Sequence, residues 1–197
     1  LYYLVEVSDV VRIPPNKFRE PLEKSAMEVL KETYEGVMNK TLGGILAVVD
    51  VKVSPMGKIV PGDGATYHKA VFTLLTFKPV EHEVVEAEVT EVTSFGAFLR
   101  LGPLEGLVHV SQVADDYISY DGKRGALLCK NTKRVLQKGD VVRARVVTVS
   151  LSSGSFRDCK VGLTMRQPFL GKLEWIEEDL EKARAPVKGA KAKKAGA

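Results

Sequence analysis

Five short segments between Glu83 and Met165, EVVEAEVTEV, GAFLRL, EGLVHV, DVVRARVVTVS and KVGLTM, have strand character and are separated by turn residues. Five strands within about 80 residues predict a small closed barrel, because closure removes the unpaired edges of so small a sheet. In VVRARVVTV the side chains alternate, with Arg143 and Arg145 on one face and Val142, Ala144 and Val146 on the other, so one side of that strand is wet. Between the third and fourth segments lies a long connection, Gln112 to Gly139, rich in Lys and Gly. A connection of that length is usually functional or carries short elements of its own.

The pattern before Pro79 is different. YYLVEVSDVVRI is a strand that stops at Pro14-Pro15, where a helix is expected to start, since proline is tolerated in a first helical turn. Phe18, Leu22, Ala26, Val29, Leu30, Thr33 and Val37 recur at helical spacing and carry that helix to about Asn39 with one buried face. GGILAVVDVKV and TYHKAVFTLLTFKPV are two further strands, joined by turn chemistry in SPMGKIVPGDGA. One main helix on a small antiparallel sheet, followed by a five-stranded barrel, makes the fold class α+β. The expected domains are residues 1–80 and 81–170, with 171–197 a C-terminal extension. In that extension Leu173, Trp175 and Ile176 are placed to dock on the barrel, and the basic, low-complexity KGAKAKKAGA is expected to be a flexible tail.

A hydrophobic content of 45% over 197 residues is enough for two modest cores. The apolar run at the start is short and broken by Glu6 and Asp9, and nothing approaches the roughly 20 apolar residues of a membrane-spanning helix, so a cytoplasmic location is expected. Two cysteines, Cys129 and Cys159, supply neither a disulfide framework nor a CxxC metal pair. The net charge of +4 permits nucleic-acid binding without establishing it. Its distribution is uneven: five glutamates lie between Glu81 and Glu91, whereas Lys123 to Arg145 holds eight basic residues against one acid, Asp140. That segment is either a basic stripe for phosphates or a solvated loop face.

Catalysis finds little support. No DxD-like acidic pair sits on an apolar strand to hold metal ions, and Asp115-Asp116 falls in a loop or helical turn as a solvated pair. Pro55 to Gly64 lacks the GxxxxGK[ST] order of a phosphate loop and is a hairpin connection in which Gly62 and Gly64 supply permissive backbone angles. His68 has no serine or cysteine at useful spacing and is expected to be structural or an interface residue. No catalytic residue, metal or cofactor is therefore expected.

The residues that could carry function are rings. In GAFLRL, Ala97, Leu99 and Leu101 share the inner face, leaving Phe98 and Arg100 outside. Phe95 is three residues from Phe98, and a bulge or turn at Gly96 returns both rings to one side. In EGLVHVS, Val108 and Val110 point inward and His109 outward. From alternation alone two readings stand: a platform on which single-stranded bases stack, at about 1–3 kcal/mol each, or rings that close the barrel ends beside a structural histidine.

TSFGAFLRL with EGLVHVSQV, then KGDVVRARVVTVS and VGLTMRQ, resembles the S-one RNA-binding domain, an oligonucleotide-binding barrel, over Glu81 to about Gln167. The resemblance implies that Phe95, Phe98 and His109 lie on an RNA face. Arg100, Arg143 and Arg145 are the candidate cations beside it. Ser150 stands where that family commonly ends its fourth strand with an acid, and Arg157 stands for the basic residue that follows.

VRIPP, GKIVPGDGATYHKAVFTLLTFKPV and LTMRQPFLGKLEWI extend the likeness over nearly the whole chain. Together they resemble the E-prime family of archaeal RNA polymerase stalk proteins, the counterpart of the seventh-largest subunit of eukaryotic polymerase II. The resemblance implies an N-terminal ribonucleoprotein-like tip domain that docks on the polymerase core near the clamp. Met56, Gly57, Lys58, Ile59, Val60, Pro61 and Gly62 would form the docking loop. It also implies a stalk formed with the polymerase's F subunit, a barrel that contacts nascent single-stranded RNA, and help with open-complex formation and processivity. The rival is a stand-alone S-one-domain factor in translation or RNA decay, which would have no use for an apolar docking loop.

Overall fold

The computed structural model describes residues 1–152, 156 and 159–184. Its contacts divide the chain into two compact units, Leu1–Glu83 with 102–105 and 146–162, and Val84–Leu101 with 106–145 and the segment from Leu163 onward.

In the first unit, β1 (Tyr2–Ile13), β2 (Met38–Asn39), β3 (Gly43–Ile59) and β4 (Thr66–Phe77) form an antiparallel sheet in the order β1-β4-β3-β2. One helix, α1 (Leu22–Tyr34), covers one face. Val11, Ile13, Ala26, Leu30, Ile45, Val48, Val51, Ala70, Phe72 and Leu74 form a continuous core there. Leu22, Ala26 and Leu30 fall four residues apart, which puts them on one helical stripe.

The helix is shorter than its periodicity predicts. Pro15–Lys17 is a single 3-10 turn, and Pro21 immediately precedes the first helical residue, where a missing N–H costs nothing. At the other end the chain leaves the helix at Glu35 and turns through Gly36 at φ +79°, a conformation that favours glycine. Phe18 and Val37 therefore fall outside the helix and are exposed rather than buried.

The expected hairpin connection over Pro55–Gly64 is also redistributed. β3 runs on to Ile59, with a register shift between Val53 and Gly57 that accommodates Pro55, and the reversal itself lies between Ile59 and Thr66. His68 is buried and its Nδ1 lies 2.9 Å from the Ser54 carbonyl oxygen. Its ring occupies the space a Cβ at Gly57 would need, 2.5 Å away. His68 is thus a packing and hydrogen-bonding residue of the bulge.

The barrel consists of β5 (Val84–Thr93), β6 (Gly96–Arg100), β7 (Glu105–His109), β11 (Val141–Ser150) and β12 (Lys160–Thr164). The sheet order is β12-β7-β6-β5-β11, and β12 also pairs with β11, which closes the barrel. Within the second unit Val85, Ala87, Val89, Ala97, Leu99, Val108, Val142, Ala144 and Leu163 are buried, the inward set the alternation predicts. The long connection carries its own three-stranded sheet, β8 (Ile118–Asp121), β9 (Ala126–Cys129) and β10 (Val135–Gln137), in the order β10-β9-β8.

After the barrel, β13 (Gly171–Lys172) adds to β11, and α2 (Leu173–Arg184) buries Trp175 and Ile176. Arg134 holds that helix, donating to the Trp175 carbonyl at 3.3 Å and pairing with Asp179 while its guanidinium lies over the Trp175 ring. The Lys-rich tail lies outside the described residues. No helix among the described residues is long and apolar enough to cross a membrane.

Candidate nucleic-acid interface

The β5–β6 turn at Ser94-Phe95 is held by Thr93 Oγ1 donating to the Gly96 carbonyl at 3.0 Å. β5 carries a register shift at Thr90, whose hydroxyl donates to the Phe98 carbonyl at 3.2 Å. Turn and shift together return Phe95 to the side of Phe98, three residues on. The two rings stand edge to face, centroids 6.0 Å apart and planes at 90°. Phe95 is 49% exposed and Phe98 half-buried, so neither ring closes the core.

His109 ends β7 on the same side of the barrel's end. The Val110 N–H donates to the Phe95 carbonyl at 2.9 Å, which places β7's last residue beside the turn. A Cβ at Gly96 would collide with the Val108 carbonyl and approach His109 Cα to 3.1 Å, so only glycine lets the two strands meet this closely. His109 Nδ1 accepts from the Ser111 N–H at 3.3 Å and lies 2.9 Å from Ser111 Oγ. In the neutral ring an accepting Nδ1 puts the proton on Nε2, which makes that nitrogen a donor. Ser111 was not among the expected site residues, although a histidine two residues ahead of a turn N–H is the local signal for such a contact.

The cations are not gathered at these rings. Arg100 is exposed, opposite Glu88 in the ladder, and makes no ion pair among the described residues. Arg143 gives Nε and Nη2 to Glu86 Oε1 at 3.0 and 2.7 Å. Arg145 is half-buried, and its Nε is buried without a hydrogen-bond partner among the described residues. Both arginines lie on β11, with β5 between them and β6. Arg143 is level with Glu86 and Phe98 with Glu91. That separates Arg143 from Phe98 by about 15 Å along the strands and about 10 Å across them, and Arg145, level with Val84, lies farther still. Arg157 lies outside the described residues. The structure therefore brings Phe95, Phe98 and His109 together, puts Arg100 one alternation along from Phe98, and sets Arg143 and Arg145 apart.

The second group of expected residues is at the far end of the β3–β4 hairpin. Met56, Gly57, Lys58, Ile59, Val60, Pro61 and Gly62 are all exposed, Met56 at 85% and Ile59 at 74%. Gly62 turns at φ +91°. Asp63 fixes the loop: Arg12 donates to both its carboxylate oxygens at 2.8 and 2.7 Å, the Tyr67 hydroxyl at 2.6 Å and the Ala65 N–H at 3.2 Å. These donors, Arg12 first and Tyr67 second, hold the Asp63 carboxyl far below the usual aspartate range.

Asp115 and Asp116 lie in a loop, as expected; Asp115 is exposed and Asp116 half-buried, and both have partners. Asp115 takes the guanidinium of Arg166. Asp116 accepts from the Thr132 N–H and hydroxyl at 2.9 Å each and from the Asn131 N–H at 3.2 Å, which lowers its pKa. Burial raises that of Cys129. Among the described residues no three His, Cys, Asp or Glu side chains are grouped to hold a metal ion.

The family model of the S1 RNA binding domain matches residues 78–156, and that of the SHS2 domain found in N terminus of Rpb7p/Rpc25p/MJ0397 matches residues 8–64. An SHS2 domain followed by an S1 barrel defines the class: two-part subunits of cellular RNA polymerases. The DNA-directed RNA polymerase subunit Rpo7 of Saccharolobus shibatae is 48% identical over 178 residues, covering 90% of this chain and 98% of the relative. That of Sulfolobus acidocaldarius is 42% identical over 183 residues, 93% of this chain and 99% of the relative. The fission-yeast (Schizosaccharomyces pombe) RNA polymerase II subunit rpb7 is 26% identical over 174 residues, 87% of this chain and 99% of the relative. The chain belongs to the Rpo7 family of DNA-directed RNA polymerase subunits.

Proposed function

We propose that this polymerase subunit is a noncatalytic stalk component that guides nascent single-stranded RNA over its S1 barrel. The observation that carries this reading is the ring group itself: two phenylalanines edge to face at 6.0 Å, one of them half exposed, beside an exposed histidine. Bases stack on such rings irrespective of sequence, and Arg100 beside them supplies attraction to phosphates. Arg143 and Arg145 contribute from the periphery of that face, and Arg157 is a further cation on the strength of the family resemblance alone.

Residues 1–80 act as the tip domain, with the exposed hairpin end Met56–Gly62 docking on the polymerase core near the clamp. Residues 81–170 are the RNA-guiding barrel, and 171–197 an extension. The protein pairs with the polymerase's F subunit, works in the cytoplasm, and assists open-complex formation and processivity. The apolar, outward-facing Met56, Ile59 and Val60 support the docking role, since exposed apolar side chains at a rigidly held turn are costly to leave in water.

The test is fluorescence anisotropy of labelled single-stranded RNA at two salt concentrations, using the complex with the F subunit. Phe95→Ala/Phe98→Ala/His109→Ala is expected to lower affinity by at least about tenfold, from about 1–3 kcal/mol per lost stacking contact. Unchanged affinity in a folded triple variant would remove the RNA platform from the proposal.

A further inference from the structure

The basic stretch within Gln112–Gly139 is not used by the platform, and the structure separates its charges into two kinds. All three acids of this stretch are committed. Asp115 holds Arg166; Asp116 holds the Asn131 and Thr132 backbone; Asp121 accepts from the Lys123 and Arg124 N–H groups at 3.0 and 3.4 Å. Arg134 is committed to α2. Lys123, Lys133 and Lys138 make no ion pair among the described residues, and all are exposed. The positive charge that remains is therefore uncompensated and on the surface.

One face of the β8–β9–β10 sheet gathers part of it beside a ring. Tyr117 is 66% exposed, and Lys130 stands next to it, its N–H donating to the Tyr117 carbonyl at 2.9 Å and its Nζ lying 4.3 Å from the ring centroid. The next row on that face is Ser119, Leu128 and Val135, with Leu128 half-buried and Val135 36% exposed. Lys133 is displayed from the β9–β10 turn at φ +56°, an uncommon angle for a side chain of this kind, and Asp116 fixes that turn by accepting from both residues before it. An aromatic ring with a cation over it, a short apolar row and a pinned lysine form a surface for a base and its flanking phosphates.

We infer that the face carrying Tyr117, Lys130 and Lys133 is a second single-stranded RNA subsite, engaged by an RNA longer than the barrel platform alone can hold. The inference rests on the reading of the barrel as an RNA binder. Tyr117 is eight residues beyond His109 in the chain. Charge decides for a polyanion over an apolar protein partner, because the exposed apolar row is short and ends at lysines whose neighbouring acids are all taken.

The experiment compares RNAs of about 6 and about 20 nucleotides on the full chain, since one such barrel spans about 4 to 16 nucleotides. Tyr117→Ala and Lys130→Gln/Lys133→Gln are each expected to bind the short RNA as the parent does and the long RNA at least about fivefold more weakly. The lysine variant should also show a salt dependence shallower by about 1.4 log units per log unit, at about 0.7 per lost phosphate contact on single strands. It keeps the tyrosine and every backbone contact, so its result stands even where Tyr117→Ala fails to fold. Long-RNA affinity unchanged in both variants overturns the inference, and does so whether or not polymerase retention falls, which would mark a protein surface instead. Equal loss on both lengths also overturns it as a separate subsite. If Phe95→Ala/Phe98→Ala/His109→Ala leaves short-RNA binding intact while the Tyr117 and lysine variants still lose long RNA, the platform reading falls and the second subsite stands.

Discussion

Among the described residues of the first unit, Asp63 accepts more hydrogen bonds than any other carboxylate. It receives four donors from Arg12, Tyr67 and Ala65, and so ties the hairpin turn to the end of β1. Because its pKa is depressed below the ordinary 3.8, the charged form is favoured by folding. The linkage then has one sign: the contribution is complete above the unfolded value and is lost as pH falls below it toward the folded value. Asp63→Asn is expected to lower the melting temperature near neutral pH, while parent and variant converge in strong acid. Circular-dichroism melts across that range check it, and two parallel curves would contradict it. Little of this is legible in sequence. The Pro and Gly residues announce a turn, but Arg12 is 51 residues from Asp63, and their meeting depends on the pairing of Arg12 with Tyr67 across β1 and β4.

At the scale of elements, alternation predicts the buried and outward faces of β6 and of β7 as far as His109, since inner and outer positions are set by a period of two; Val110, expected inward, is half-buried in the 3-10 turn that follows. Alternation does not say how Phe95 reaches the side of Phe98. That depends on a turn at Ser94-Phe95 and on a register shift in the partner strand β5, and only Gly96 is visible in advance as a place where such a thing can happen. Gly96 is needed for a different reason as well, the close passage of the Val108 carbonyl. Gly96→Ala must push β6 from β7. Overpacking of this kind costs about 1–3 kcal/mol, and the displacement separates Phe95 from His109. The expected result in denaturant melts is a loss in that range, with weaker RNA binding in the fraction that stays folded. Full RNA affinity together with parental stability would mean that the strands accommodate the methyl group without moving. The helix teaches the same lesson about ends: periodicity locates α1, whereas Pro21 and Gly36 set its limits.

Across the whole molecule, charge that is segregated along the chain is only partly segregated in space. The glutamates of Glu81–Glu91 and the basic residues up to Arg145 look like opposite poles in sequence, yet β5 and β11 pair antiparallel and bring Glu86 to Arg143. The order of a helix-on-sheet domain and a barrel is visible because each has its own periodicity, and the docking loop and the rings proposed for RNA fall in different units. The two activities should therefore separate by mutation. Met56→Asp/Ile59→Asp changes two side chains that are already exposed, so the fold should be unaffected. Each large apolar side chain buried in a docked interface contributes about 1.5–3 kcal/mol, and charging two of them should reduce retention by core polymerase at least about tenfold. RNA affinity of the isolated complex with the F subunit should stay at the parental value. Phe95→Ala/Phe98→Ala/His109→Ala should give the converse, with retention intact and RNA binding lost. Pull-down with core polymerase and anisotropy with RNA on the same two preparations decide the matter: if either variant loses both activities while still melting like the parent, docking and RNA capture are one coupled function.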